Sequence, residues 1–265
     1  SIMFIVGALS ACGNSGSGEA TTGKSEGSTT KAQTQAAEQT QEAVTNAETE
    51  GNGGASDIAF EDTKVRVAIQ VDPAIFGPYQ TTNKGRKEVL PEIYECLAMQ
   101  QGVGGEIKGI MAKDWHAVDG EENTYIVELY DYIKDSKGNE ITADDVIYSF
   151  TDAGADDFKR YLVKMDTIEK VDDYTLKIKM KNSKIDAFDS LISRVYVIDE
   201  DSFKADDSGM TNDPVGTGPY TLTDYVAGSK VILTARDDYW QTDKSKLVQN
   251  QLQNVKTIEF QIIPE

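Results

Sequence analysis

The 265 residues carry Lys+Arg 26 against Asp+Glu 45, a formal net charge of -19. No basic surface is available to displace counterions from a phosphate backbone, which excludes a nucleic-acid partner. At 39% hydrophobic residues the chain can enclose one large core or two small ones, and its two cysteines, Cys12 and Cys96, are too few for a disulfide framework. Residues 1–8 are apolar apart from Ser1, a run too short to span a bilayer. Residues 13–57 are Gly, Ser, Thr, Ala, Gln and Glu with almost no large apolar side chains, so they cannot bury enough surface to offset ordering entropy and are expected to form a disordered linker. As a flexible coil that length reaches roughly 35–40 Å.

Residues 63–71 alternate Val65, Val67 and Ile69 with Lys64, Arg66 and Gln70, the period of a strand, and Asp72-Pro73 ends it. The loop 74–80 places Phe76 and Tyr79 beside Gly77 and Pro78, which suits either a cleft wall or a cap on the core. Across 87–99, Leu90, Ile93, Tyr94 and Leu97 fall on a helical stripe. This predicts a helix that starts near Pro91 or kinks there, with Cys96 a buried thiol. Gly102, Gly104 and Gly105 lack the spacing of a dinucleotide loop. Tyr125, Val127 and Leu129 alternate inward within a strand over 123–132. In the turn 134–140, Asp135, Asn139 and Glu140 suggest a calcium loop, but Lys137 stands where a ligand oxygen is needed, so metal is rejected. Thr142 is expected to cap a helix by accepting from the Asp145 N–H, with Asp144 and Asp145 at its positive end and Val146, Ile147 and Phe150 facing inward. A strand over 174–180, a short helix over 188–192, a return toward the sheet over 194–198 and a polar surface passage over 199–212 follow, and the last strand covers 255–263.

The stretch 213–240 is the most structured signal in the chain. Gly216 and Gly218 flank Thr217, where a backbone can approach closely, and Pro219 fixes the exit from the turn. Residues 220–225 and 229–235 alternate apolar with polar around Ala227-Gly228, predicting an antiparallel hairpin that Tyr239-Trp240 closes.

The Gly-Thr-Gly-Pro-Tyr turn with its following strand and Tyr-Trp resembles the extracellular solute-binding proteins of ABC importers, the family 5 type that includes oligopeptide, dipeptide and nickel binders. Ile141-Thr-Ala-Asp-Asp-Val-Ile-Tyr-Ser-Phe150 resembles that family's helix start and Ile93-Tyr-Glu-Cys-Leu97 its preceding helix, while residues 111–115, ending in Trp115, match the family's strand at that point. The likeness spans roughly residues 60–265, with the motifs in the family's order. It implies a mixed α/β (α+β) fold of the periplasmic-binding-protein-like type II, present as the first lobe with an inserted subdomain and with the second lobe missing. On that reading residues 58–265 form the partial domain, 58–84 plus 200–265 its main lobe and 85–199 the insertion. Leu9-Ser-Ala-Cys12 likewise resembles a bacterial lipobox, in which residues 1–11 are a partial lipoprotein signal peptide lacking its Met and charged start, and the Cys12 thiol takes the lipid.

The resemblance implies a lipid-anchored binding component on the outer face of a bacterial cell membrane, extracellular or periplasmic. It would capture peptides largely through backbone hydrogen bonds and deliver them to membrane permease subunits. Phe76, Gly77 and Tyr79, with Thr217 and Gly218 beside them, are the expected ligand contacts of this lobe. Nickel, haem or another small solute is the alternative cargo, and a transport-independent peptide sensor the alternative role. No cofactor is implied. His116 is the sole histidine, and the sequence has no HExxH or GxSxG, so an enzyme is not expected.

Overall fold

The structure is a computed structural model and describes residues 59–79, 85–152, 156–182 and 186–264. In chain order these form β1 (Lys64–Ile69), α1 (Arg86–Val89), a 3-10 turn at Leu90–Glu92, β2 (Ala98–Gln100), β3 (Ile107–Gly109), β4 (Ala112–Ala117), β5 (Thr124–Leu129) and α2 (Ala143–Thr151). There follow α3 (Asp156–Leu162), β6 (Met165–Asp172), β7 (Thr175–Met180), α4 (Ala187–Arg194), α5 (Glu200–Lys204), β8 (Tyr220–Val226), β9 (Lys230–Ala235), a 3-10 turn at Gln249–Gln251 and β10 (Thr257–Ile262).

Two four-stranded sheets carry the architecture. One has the order β1-β10-β9-β8, the other β4-β5-β7-β6, and β2 and β3 make a separate ribbon. The second sheet is antiparallel throughout. In the first, β1 pairs with β10 in parallel, Lys64 opposite Thr257 and Ile69 opposite Ile262. Parallel neighbours need a crossover, and here it takes in almost all of the intervening chain. The β8–β9 hairpin turns at Gly228, whose φ of 69° is the left-handed conformation that favours glycine.

Each sheet has its own core. Val127, Leu129, Leu176, Ile178 and Met180 from the β4-β5-β7-β6 sheet pack with Val146 and Phe150 of α2 and Leu191 and Ile192 of α4. Ile69, Val231, Leu233, Ile258 and Phe260 from the other sheet pack with Phe76, Tyr79, Ile93, Tyr94 and Tyr220. Tyr239 and Trp240 follow β9 in sequence yet lie in the first of these cores, so the end of the hairpin sheet is anchored in its neighbour.

Several local expectations need correction. The helix expected over 87–99 is four residues long; after the 3-10 turn at Leu90–Glu92 the chain extends, and Cys96 bridges Tyr196 across antiparallel backbone before β2 begins. Pro91 sits inside the 3-10 turn, where it leaves no amide to continue the ladder, and the apolar spacing serves burial from an extended segment instead. Cys96 is still a buried free thiol, and burial pushes its pKa up to about 12. The polar passage over 199–212 contains α5, capped by the Asp199 carboxylate accepting from the Ser202 N–H at 2.7 Å. The expected cap of α2 is present as a capping box, the Thr142 side chain meeting the Asp145 N–H while Asp145 Oδ2 accepts from the Thr142 N–H at 2.7 Å and from its hydroxyl at 3.0 Å. Val65 and Val67 share a face of β1 with Ile69, but that face is largely uncovered and both stay exposed. The strands over 123–132, 174–180, 220–225, 229–235 and 255–263 and the helix near 188–192 are present within a residue or a few of their expected ends.

Candidate functional site

The loop after β1 opens with a strained turn. The Asp72 carboxylate accepts from the Ala74 N–H at 2.8 Å, from the Tyr225 hydroxyl at 2.8 Å and from the Gly228 N–H at 2.6 Å, tying the loop to the tip of the β8–β9 hairpin. Ala74 has φ 58°, and the Ile75 N–H donates to the Pro73 carbonyl across it at 2.6 Å, the i to i+2 closure of a γ-turn with positive φ. Such turns are rare for a residue with a Cβ, and strained backbone of this kind gathers at ligand clamps.

Beyond this turn the loop is held from three sides. The Phe76 N–H donates to the Thr211 carbonyl at 2.9 Å, and the Tyr94 hydroxyl donates to the Phe76 carbonyl at 3.1 Å. Buried Arg86 donates through Nη2 to the Gly77 carbonyl. The Tyr79 hydroxyl donates to the Tyr196 carbonyl at 2.6 Å. The rings interlock edge-on, Phe76 against Tyr225 at 5.0 Å, Tyr79 against Phe203 at 5.7 Å and Phe158 at 6.0 Å, and Phe158 against Tyr196 at 5.4 Å. Burial raises the pKa of Tyr79 and of Tyr196, so both hydroxyls remain protonated donors.

Thr217 and Gly218 reach the same neighbourhood from the turn that leads into β8, in the same sheet as β1. The Gly218 N–H donates to the Ile93 carbonyl at 2.8 Å. A Cβ on Gly218 would lie 2.5 Å from the Glu92 carbonyl oxygen, and one on Gly216 would lie 2.1 Å from that of Ile93, so both glycines are required by close backbone approach. Arg236, itself buried, donates through Nη1 to the Gly218 carbonyl at 3.2 Å and through Nη2 to the Asp135 carbonyl at 2.7 Å. The Ser136 N–H donates to the Gly216 carbonyl at 2.9 Å. The turn is thus gripped between segments 92–94 and 135–136.

Of the expected contacts, Phe76 thus meets the Tyr94 hydroxyl through its carbonyl, Tyr79 the Tyr196 carbonyl, Gly77 the Arg86 side chain and Gly218 the Ile93 carbonyl. In this arrangement Phe76 is 1%, Tyr79 6% and Thr217 0% exposed. Cys12 lies outside the described residues.

Sequence reasoning missed the polar centre of this hub. Glu95 Oε1 accepts from the Tyr239 hydroxyl at 2.6 Å and from Gln251 Nε2 at 3.0 Å, and its Oε2 accepts from Trp240 Nε1 at 2.9 Å. Burial raises its pKa against the pull of these donors. The signal was present in two of the motifs, since a glutamate among apolar residues in one and a Tyr-Trp pair in the other are complementary, but only the fold pairs them. Arg86 and Arg236 were missed for the same reason. His116 lies exposed on β4 with Nδ1 3.8 Å from Asp114, and among the described residues no group of three His, Cys, Asp or Glu could hold a metal ion.

Residues 106–265, more than half the chain, match the family described as bacterial extracellular solute-binding proteins, family 5 Middle. A nickel-binding protein, NikA of Staphylococcus aureus, is 29% identical over 138 residues, which are 52% of this chain and 27% of that protein. The oligopeptide-binding protein OppA of Bacillus subtilis is 23% identical over 223 residues, 75% of this chain and 40% of the relative. The structure of the oligopeptide-binding protein AppA from Bacillus subtilis in complex with a nonapeptide superposes with a TM-score of 0.63 at 19% identity, covering 76% of this chain and 40% of that one. The chain spans well under half the length of these relatives. With residues 106–265 matching its model, the chain belongs to the bacterial extracellular solute-binding proteins of family 5.

Proposed function

We propose that the protein captures peptides outside the cell and passes them to membrane permease subunits, held to the outer face of the membrane by a lipid on Cys12. Residues 58–84 plus 200–265 act as the main lobe, with 85–199 inserted, and Phe76, Gly77, Tyr79, Thr217 and Gly218 supply this lobe's part of the ligand site. The observation that supports this reading best is the γ-turn at Ala74, a costly conformation kept at the head of the loop that carries Phe76, Gly77 and Tyr79. A solute touching both this loop and an opposing lobe favours the closed state by its differential affinity for it. Backbone contacts give affinity without demanding one side-chain sequence, which suits varied peptides.

Calorimetry of the full-length protein against a mixed peptide library tests the reading. Heat of binding that Tyr79→Phe weakens is the expected result; heat with a nickel chelate and none with peptides overturns the peptide assignment. The nickel reading is supported by the likeness to the Staphylococcus aureus nickel-binding protein. The lipid anchor has its own test. A Cys12→Ala variant is expected in the culture medium, and unchanged retention on membranes would rule the anchor out.

A further inference from the structure

Three aromatic rings meet where β5 ends. The centroid of Tyr130 lies 5.3 Å from that of Tyr132 and 6.0 Å from that of Trp240, and Tyr132 lies 5.9 Å from Trp240, with the planes tilted by 44, 45 and 53°. Trp240 is buried and its Nε1 is committed to Glu95, so it backs the two tyrosines as a fixed support. Tyr132 is 38% exposed and Tyr130 is half-buried. Over the Tyr130 ring, 4.8 Å from its centroid, stands the Lys246 ammonium. The Tyr132 hydroxyl is a further neighbour of that ammonium. Its ion pair with Asp243 Oδ2 is long, 3.9 Å, and both side chains are more than two-fifths exposed. Asp131, between the two tyrosines, is exposed as well. The shelf therefore already attracts a cation, and the cation it holds is a loosely tied side chain of its own.

We propose that this aromatic shelf docks an arginine-bearing loop of a partner protein, the incoming guanidinium displacing the Lys246 ammonium from the Tyr130 ring and pairing with Asp243. A ring face attracts a cation more strongly once water is excluded, as a docked surface would exclude it. A guanidinium suits the place better than an ammonium, because it is planar, stacks on a ring, is more weakly hydrated and can fork to a carboxylate. Tyrosines already held by a buried Trp lose little freedom on contact, which is the property of interface anchors. The net charge of -19 draws a basic partner and repels a second copy of this chain. The inference stands apart from solute capture. None of Tyr130, Tyr132, Trp240, Asp243 and Lys246 lines the cavity of about 510 Å³ beside Glu95 and Arg194.

The test is calorimetry of the full-length protein against a small folded carrier protein that displays Gly-Arg-Gly-Arg-Gly in a surface loop, a probe too large to enter that cavity. The arginine carrier is expected to bind, and a carrier with glutamine in place of both arginines is not. Lys246→Gln clears the ring face and is expected to tighten binding roughly three- to tenfold, while Tyr130→Leu weakens it by a similar factor. Lys108→Gln makes the same change of charge on β3 and is expected to shift the affinity much less. Lys246 is exposed, so its variant keeps the test valid even if Tyr130→Leu folds poorly. Equal gains from Lys246→Gln and Lys108→Gln would reduce the effect to long-range attraction and overturn the site, as would failure of the arginine carrier to bind. Sedimentation of the protein alone that shows a dimer, dissolved by Tyr132→Ala, would assign the shelf to a second copy and likewise overturn the partner loop.

Discussion

Gly218 and Gly228 are both glycines in turns, yet different physics holds each in place. A Cβ on Gly218 meets backbone atoms at 2.5 and 2.6 Å, which no side-chain rotation can relieve, so Gly218→Ala is expected to cost at least about 2 kcal/mol by overpacking. Gly228 has open space around it and only its φ of 69° to satisfy, so Gly228→Ala should cost about 1 kcal/mol. Urea unfolding of the two variants checks the order. Glu92, next in the same hub, has its pKa raised by burial to about 7 from an ordinary 4.5. The unfolded chain therefore releases this proton at lower pH than the folded one. The stability this group lends is present below about pH 4.5 and is lost as pH rises through about 7. Glu92→Gln is expected to match the parent at pH 4.5 and to exceed it at pH 8 by up to about 3 kcal/mol. A parent and variant with parallel stability curves from pH 4.5 to 8 would contradict the buried-acid account.

At the scale of elements, buried polar groups join pieces that the sequence separates. Glu95 on the extended segment links to Tyr239 and Trp240 beyond β9 and to Gln251 in the 3-10 turn. Removing its carboxylate strands three buried donors at once, so Glu95→Ala is expected to destabilise by about 3–5 kcal/mol, more than truncating an apolar neighbour on the surface. Asp72 does the same for the β8–β9 hairpin and the γ-turn. Its replacement by Ala should release the hairpin tip, and amide exchange at Gly228 should then speed up relative to that in β10. Much of this was legible in part. The strands were readable because period-two alternation survives wherever one face is buried, as in β7 with Leu176, Ile178 and Met180. The spacing over 87–99 imitates a helical stripe because Leu90 buries from a 3-10 turn, Ile93 from that turn's C-terminal cap and Leu97 from the chain just before β2.

For the molecule as a whole, the charge of -19 is the dominant long-range term. Self-repulsion of that size opposes compaction, and salt screens it within about 8 Å at physiological ionic strength. Melting temperature is expected to rise as sodium chloride goes from 10 to roughly 150 mM; a fall would mean that surface ion pairs such as Lys177–Glu121 and Lys230–Asp224 outweigh the net repulsion. The parallel pairing of β1 with β10 sets a second whole-molecule property. Closing that pair demands contacts between residues nearly two hundred positions apart in the chain, so its formation should come late in folding. Pulse-labelling exchange should show protection in β7 before β1.

The sequence by itself determined the local vocabulary: the strands, the capped start of α2, the glycine turn, the acidic balance and the family motifs in order, because each depends on residues close together in the chain. Only the tertiary structure decided that Glu95 meets Tyr239 and Trp240, that Gly218 abuts the backbone of Glu92 and Ile93, and that Lys246 stands over the Tyr130 ring. Those pairings follow from how two sheets with separate cores lock around one extended segment. Residue spacing carries no record of that, since a contact across dozens of positions is specified by the packing of everything between.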